Sequence, residues 1–200
     1  MNERFFELKK EKQDRMINAA LEVFSKHGYY HTSTDEIVKT AQISKGLLFH
    51  YFGSKLGLYA FLYDYATRFV TLELTRSVTD NDNDFFDLYK NILSAKANSL
   101  AQYPYIYDYL KNADEETHIE AVGEIHERRD KYRRIMEALR ARADVTVLKP
   151  GTDYNKVWDI LDFTVDGILE RNIKRDTFRA DLFMEEALEY IEMIQQAVIT

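Results

Sequence analysis

Ser33-Thr34-Asp35-Glu36-Ile37-Val38-Lys39-Thr40-Ala41-Gln42-Ile43-Ser44-Lys45-Gly46-Leu47-Leu48-Phe49-His50-Tyr51-Phe52 contains two helix starts in close succession. Ser33 followed three positions later by Glu36 forms a capping box, in which each side chain satisfies an orphan backbone N–H of the first turn. Ile37, Val38 and Ala41 then give a short apolar-sided helix of about two turns. Gln42-Ile43 is a tight connection, and Ser44 caps the next helix, with Leu47, Leu48 and Phe52 directed inward. Upstream, Met16, Ile17, Ala20, Leu21 and Phe24 form one stripe of a helix expected from Lys10 to His27, stopped by Gly28. Three helices within some forty residues, the last two joined by a three- or four-residue turn, make a helix-turn-helix arrangement. Gly53-Ser54 breaks the pattern. A long helix is then expected over Lys55–Ser77, with Leu58, Leu62, Tyr65, Phe69 and Leu72 on one side and a length of roughly 35 Å.

The rest of the chain continues the helical pattern. Thr79-Asp80-Asn81-Asp82-Asn83-Asp84 reads as a loop, and helices are expected near 85–101, 104–112, 115–143, 153–173 and 180–199. The last two are apolar on more than one side. Val157, Leu161, Val165 and Ile168 form one row, with Trp158, Ile160, Phe163 and Leu169 beside it. Met184, Leu188, Ile191, Ile194 and Val198 form another, with Phe183, Tyr190, Met193 and Ala197 beside it. A helix apolar on two sides must be covered on two sides, and a two-fold copy of the same chain is the commonest cover. The two rows are therefore the expected dimer interface, with a larger internal core as the alternative.

Composition bounds the function. The 200 residues are 46% apolar and 14% aromatic, with 7 Gly, 2 Pro and no Cys. So much ring surface argues against disorder, and so few turn residues argue against an all-β fold. Disulfides, thiolate nucleophiles and Cys-ligated metals are excluded. The longest run free of Asp, Glu, Lys and Arg, Ala97–Tyr107, is too short to span a bilayer and contains Pro104. The opening Met-Asn-Glu-Arg lacks a signal-peptide core, so a soluble, cytoplasmic protein is expected. The net charge of −7 is unevenly spread: residues 1–56 carry nine Lys/Arg against seven Asp/Glu, and the excess acid lies beyond. A mildly basic head ahead of an acidic body can orient toward a polyanion.

The helix opened by Ser44 carries the chemistry for that partner. A helix entering the major groove must be narrow at its tip and polar on its outer face. Gly46 removes side-chain bulk where backbone nears the duplex, and Ser44 with the first N–H groups suits a phosphate oxygen. Lys45 can reach a phosphate or a guanine edge, and His50 and Tyr51 project as donors. Lys55 is placed for a phosphate, and Ser33 and Thr34 for the flanking backbone. Lys45, Leu47 and His50 are the candidates to read bases. Enzyme signatures are poor. Glu115-Glu116-Thr117-His118 holds one Glu-x-x-His, half of a di-iron site, but Gly123 stands three residues before His126 where the second copy would need Glu. A helical metalloprotein with an incidental helix-turn-helix is the alternative reading, and no catalytic residue or cofactor is expected.

Residues 10 to 60, and above all Gly28 through Lys55, closely resemble the DNA-binding segment of TetR/AcrR-type transcriptional regulators. Two positions depart from that pattern: Phe49 stands where such regulators usually have Tyr, removing a hydroxyl commonly given to phosphate, and Asp35 places a negative charge near the DNA surface. The resemblance implies an all-α protein with a three-helix DNA-binding head at residues 1–55. A long helix would join it to an effector-binding and dimerisation bundle at 56–200. It further implies a homodimeric repressor released from a palindromic operator by a small molecule. The ring-rich middle of the body, with Tyr89, Tyr103, Tyr107, Tyr132, Trp158 and Phe163, would then line a pocket for an apolar or aromatic effector.

Overall fold

The computed structural model describes residues 3–81, 83–174 and 178–199. Its helices are α1 (Glu3–Phe6), α2 (Lys10–His31), α3 (Thr34–Ala41), α4 (Lys45–Phe52), α5 (Lys55–Ser77), α6 (Phe85–Gln102), α7 (Ile106–Asp114), α8 (Ile119–Arg140), α9 (Tyr154–Lys174) and α10 (Ala180–Val198). Isolated bridges (Asp84 to Asp144, Leu148 to Ile199) are the only β pairing among the described residues. The fold is all-α. No helix among them is long and apolar enough to cross a membrane.

Two compact units emerge, and they do not follow the expected boundary at 55/56. One comprises the chain through Phe69 together with Tyr105–Ile135; the other comprises Val70–Pro104 with the chain from Met136. The head thus includes α7 and most of α8. In sequence, the first unit holds sixteen Lys/Arg against sixteen Asp/Glu, so the whole net charge of −7 belongs to the second.

The first unit is built around the α2 stripe. Met16, Ile17, Ala20, Leu21 and Phe24 are all buried, as their spacing requires. Gly28 interrupts α2 at φ 64°, and one further turn follows through His31 rather than an outright stop. Thr32 ties that turn by donating its hydroxyl to Gly28 O at 2.6 Å. Phe24 meets Tyr59 edge-on at 5.1 Å, Tyr59 meets Tyr109 at 5.6 Å, and the Tyr109 hydroxyl donates to Tyr59 O at 2.9 Å. Burial holds the Tyr59 hydroxyl well above its ordinary pKa and pushes Tyr63 up to about 12. Each such ring contributes roughly 2–3 kcal/mol by leaving water. On α5 the buried row is Leu58, Tyr59, Leu62, Tyr63, Ala66, Val70 and Leu74; Tyr65 and Phe69 are half-buried and Leu72 is exposed, so the helix faces its core on a neighbouring side to the expected one.

The second unit packs α6 with α10 and α10 with α9. Asp84 caps α6 by accepting N–H bonds from Phe86 and Asp87 at 3.0 and 3.1 Å. Here the expected dimer rows are corrected. Val157, Leu161, Val165, Ile168 and Ile191 are at most 5% exposed within the subunit, and Leu188, Ile194 and Val198 are half-buried. A side chain already covered at home has little left to offer a partner. The apolar surface on these helices belongs to the flanking positions: Ile160, Phe163, Leu182, Tyr190 and Met193 are exposed, Phe163 at 76%.

The expected ring pocket is also corrected. Tyr89, Tyr103 and Trp158 are core residues of the second unit, with Trp158 packed edge-on against both Phe85 (5.5 Å) and Tyr89 (5.3 Å). The Tyr89 hydroxyl donates to Asp162 at 2.9 Å. Phe163 faces outward, and Tyr107 and Tyr132 belong to the first unit, half-buried.

Candidate nucleic-acid interface

The turn between α3 and α4 is set by its backbone. Gln42 adopts the left-handed conformation (φ 53°, ψ 49°), its N–H and that of Ile43 closing back on Val38 and Lys39 carbonyls. Ser33 caps α3 by accepting from Asp35 N–H at 3.2 Å. The reciprocal half of the expected capping box is replaced, since Glu36 faces His27 at 3.3 Å. Ser44 caps α4 as expected, accepting from Leu47 N–H at 3.2 Å.

On α4 only Leu48 is fully buried; Leu47, Phe49, Tyr51 and Phe52 are half-buried. Ser44, Lys45, Gly46 and His50 are exposed, so the start and outer side of the helix are open to a partner. A Cβ added at Gly46 would meet nothing within 4 Å. No packing inside the protein therefore asks for glycine there, although glycine costs a helix about 1 kcal/mol against alanine. Gly57 is the opposite case: an added Cβ would lie 2.1 Å from Phe52 O, so glycine is what lets the end of α4 press on α5. Beside that joint lies a cleft of about 230 Å³ lined by Tyr51, Phe52, Gly57, Ala60, Phe61, Asp64 and Arg128.

Two lysines behave differently from each other. Lys45 pairs with Asp35 at 2.8 Å, both exposed, so the acid flagged in the sequence holds the cation at the start of α4. Lys55 is not free for phosphate, a correction to its expected role. Its ammonium donates to Tyr29 O (2.9 Å), Tyr30 O (3.2 Å) and Thr32 O (3.2 Å) and lies 4.6 Å from the Tyr29 ring centre. Three donors on three carbonyls make it a clamp between α5 and the end of α2. Burial lowers its pKa, against the attraction of Glu116. Ser33 is exposed and Thr34 half-buried at the rim of α3.

Several residues with a part here carry no sequence signal of it. Glu116 accepts from the Tyr29 N–H at 3.0 Å and from Thr117 and His118 N–H at 2.9 Å each. Burial alone would raise its pKa, but these three N–H donors outweigh it and the net shift is downward. The His118 ring packs against Tyr29 and Tyr30 at 5.1 and 5.6 Å. Glu116, next to the Glu115 of the half-motif, and the motif's His118 thus fasten the α7–α8 connection to Tyr29 and Tyr30. Among the described residues no three His, Asp or Glu side chains are grouped to hold a metal.

Residues 16–61 match the model of the bacterial regulatory proteins, tetR family. The helix-turn-helix regulator HbdR of Aromatoleum sp. (strain CIB) is 42% identical over 48 residues, 24% of this chain and 21% of that protein. The IcaR negative regulator of the Staphylococcus aureus (strain Newman) biofilm operon is 27% identical over 119 residues, 58% and 62% of the two. The chain thus spans about a fifth of one relative and less than two thirds of the other. Among solved structures, the ketosteroid transcriptional regulator KstR2 of Mycobacterium tuberculosis shares the fold with a TM-score of 0.69 at 14% identity, covering 96% of this chain and 97% of that one. The segment holding both capped helices is thus similar to the bacterial regulatory proteins of the tetR family.

Proposed function

We propose that the protein is a homodimeric, ligand-responsive transcriptional repressor whose α4 reads the major groove of a palindromic operator, working in the cytoplasm as a binding protein rather than an enzyme. The observation that carries this is α4 itself: a Ser44-capped helix with an exposed leading edge and a glycine that the protein's own packing does not need. Ser44 and the N–H groups of the first turn would take a phosphate at the positive end of the helix dipole. Lys45, Leu47 and His50 are the base-reading candidates, and Ser33, Thr34 and Tyr51 the flanking ones. Repression has a precedent in IcaR, a negative regulator.

Dimerisation would use the exposed flanks of α9 and α10, at Ile160, Phe163, Leu182, Tyr190 and Met193, instead of the buried rows. Half-sites one helical turn apart then follow from two-fold symmetry. An effector would act by binding the two spacings of the heads unequally. An apolar effector is supported by KstR2, a ketosteroid regulator of the same fold.

The test is selection of bound sequences from random duplex DNA by the full chain. A palindromic site whose affinity falls steeply with salt is expected. Retention of no duplex at low salt would overturn the proposal. Phe163→Asp should convert the dimer to monomer by light scattering; an unchanged mass would remove α9 from the interface.

A further inference from the structure

The recognition helix is too short to hold itself. Eight residues are marginal as an isolated helix, and only Leu48 of α4 is fully buried. Its last turn is fixed by aromatic contact instead, and the central ring comes from outside the helix-turn-helix. Phe5, fully buried in α1, lies 5.8 Å from Tyr51, 5.2 Å from Phe52 and 5.1 Å from Phe61. One side chain thereby bridges the end of α4 to α5. The Tyr51–Phe52 end also borders the cleft of about 230 Å³, so part of its surroundings is unfilled, and loss of the Phe5 ring would leave the Phe52–Phe61 contact of 4.9 Å to hold it against α5.

A four-residue helix cannot place a ring by its own rigidity. Gln13 does this: it is buried, and its side-chain amide donates to Phe6 O at 3.1 Å and Leu8 O at 2.7 Å, tying the end of α1 to α2. Phe6 then packs at a tilt against Phe61 at 6.0 Å and stacks on Tyr65 at 6.4 Å. Residues 3–8 lie before the family match at 16–61, so the match assigns them nothing.

We infer that Phe5 is a positioning residue for DNA recognition: it sets the angle at which α4 is presented, through Tyr51 and Phe52, without itself touching the duplex. This rests on the DNA-binding reading above. The experiment compares full-length wild type, Phe5→Ala and Phe5→Leu on the selected operator and on a scrambled duplex, with amide hydrogen exchange on the free proteins. Phe5→Ala is expected to weaken operator binding at least tenfold while scrambled-duplex binding changes less than threefold. Exchange protection of residues 45–52 should fall at least tenfold and that of residues 16–24 should hold. Phe5→Leu should recover most of both losses. A merely structural role would instead lower both duplexes together and expose α2 as well as α4; that pattern, or unchanged operator binding in Phe5→Ala, overturns the inference. Should wild type bind no duplex, the function proposal fails, while the exchange comparison still decides whether Phe5 holds α4.

Discussion

Gly46→Ala separates what the fold wants from what the duplex wants. Gly46 lies in the first turn of α4, has no positive φ, and an added Cβ meets no atom within 4 Å. The methyl group therefore costs nothing in contact, and it removes glycine's extra backbone freedom in the unfolded chain. The free protein should gain about 0.8–1 kcal/mol, seen as a rise of roughly 2–4 °C in Tm. On DNA the sign reverses. The methyl would stand at the exposed leading edge, where backbone must come into van der Waals contact with bases or phosphates. Loss of one recognition contact worth about 1–3 kcal/mol corresponds to roughly 5- to 150-fold weaker binding. Thermal unfolding and fluorescence anisotropy on the selected operator, at one fixed salt concentration, read the two signs separately. A variant that is more stable and binds as tightly as wild type would show that the start of α4 does not dock against DNA. A variant that is less stable would show that the open surroundings of Gly46 are wrongly described.

Lys55→Met should destabilise the head by about 2–3 kcal/mol in urea, because three carbonyls lose a charged donor; a loss of DNA affinity with stability intact would restore its phosphate role. Asp35→Asn should release Lys45 and tighten operator binding several-fold, with a salt slope steeper by about one ion, while costing the first turn of α3 about 0.5 kcal/mol; weaker binding would mean that Asp35 orients Lys45 productively. Glu116 has a folded pKa below its unfolded one, so its contribution is present above the unfolded value and is lost as pH falls through the folded value. Glu116→Gln should therefore be less stable than wild type at neutral pH, and the difference should shrink on acidification below about pH 4; a gap constant with pH would mean that its charge contributes nothing.

The helix-turn-helix was legible because its signals are local. Ser33, Ser44 and Gly28 act within one turn of themselves, and the α2 stripe needs no knowledge of what covers it. What failed was longer in range. Two apolar rows on α9 were visible, but periodicity is symmetric between inward and outward, and the inward row holding Val157 and Leu161 was assigned to a partner. Lys55 looked like a surface cation because nothing nearby in sequence shows three carbonyls converging from the end of α2. Phe5 sits in a helix too short for any period, its only trace being the Phe5-Phe6 doublet. Glu116 went unnoticed beside the Glu115 and His118 of the half-motif because carboxylate-to-backbone bonds leave no spacing pattern. The rings were countable, but their division between core, surface and two units depends on the return of α7 and α8.

That return bears on how such a chain can be cut and rejoined. The unit that holds α4 is assembled from two stretches of polypeptide, one ending at Phe69 and the other running from Tyr105 to Ile135. Severed after the first stretch, it would forfeit the Tyr109 ring from beside Phe24 and Tyr59 and the Glu116 carboxylate from the Tyr29 amide. A chimaera that grafts only the leading stretch onto a foreign sensor would carry an unfinished core. The transplantable piece is the discontinuous one, so any graft of α4 must carry Tyr105–Ile135 along with the leading stretch.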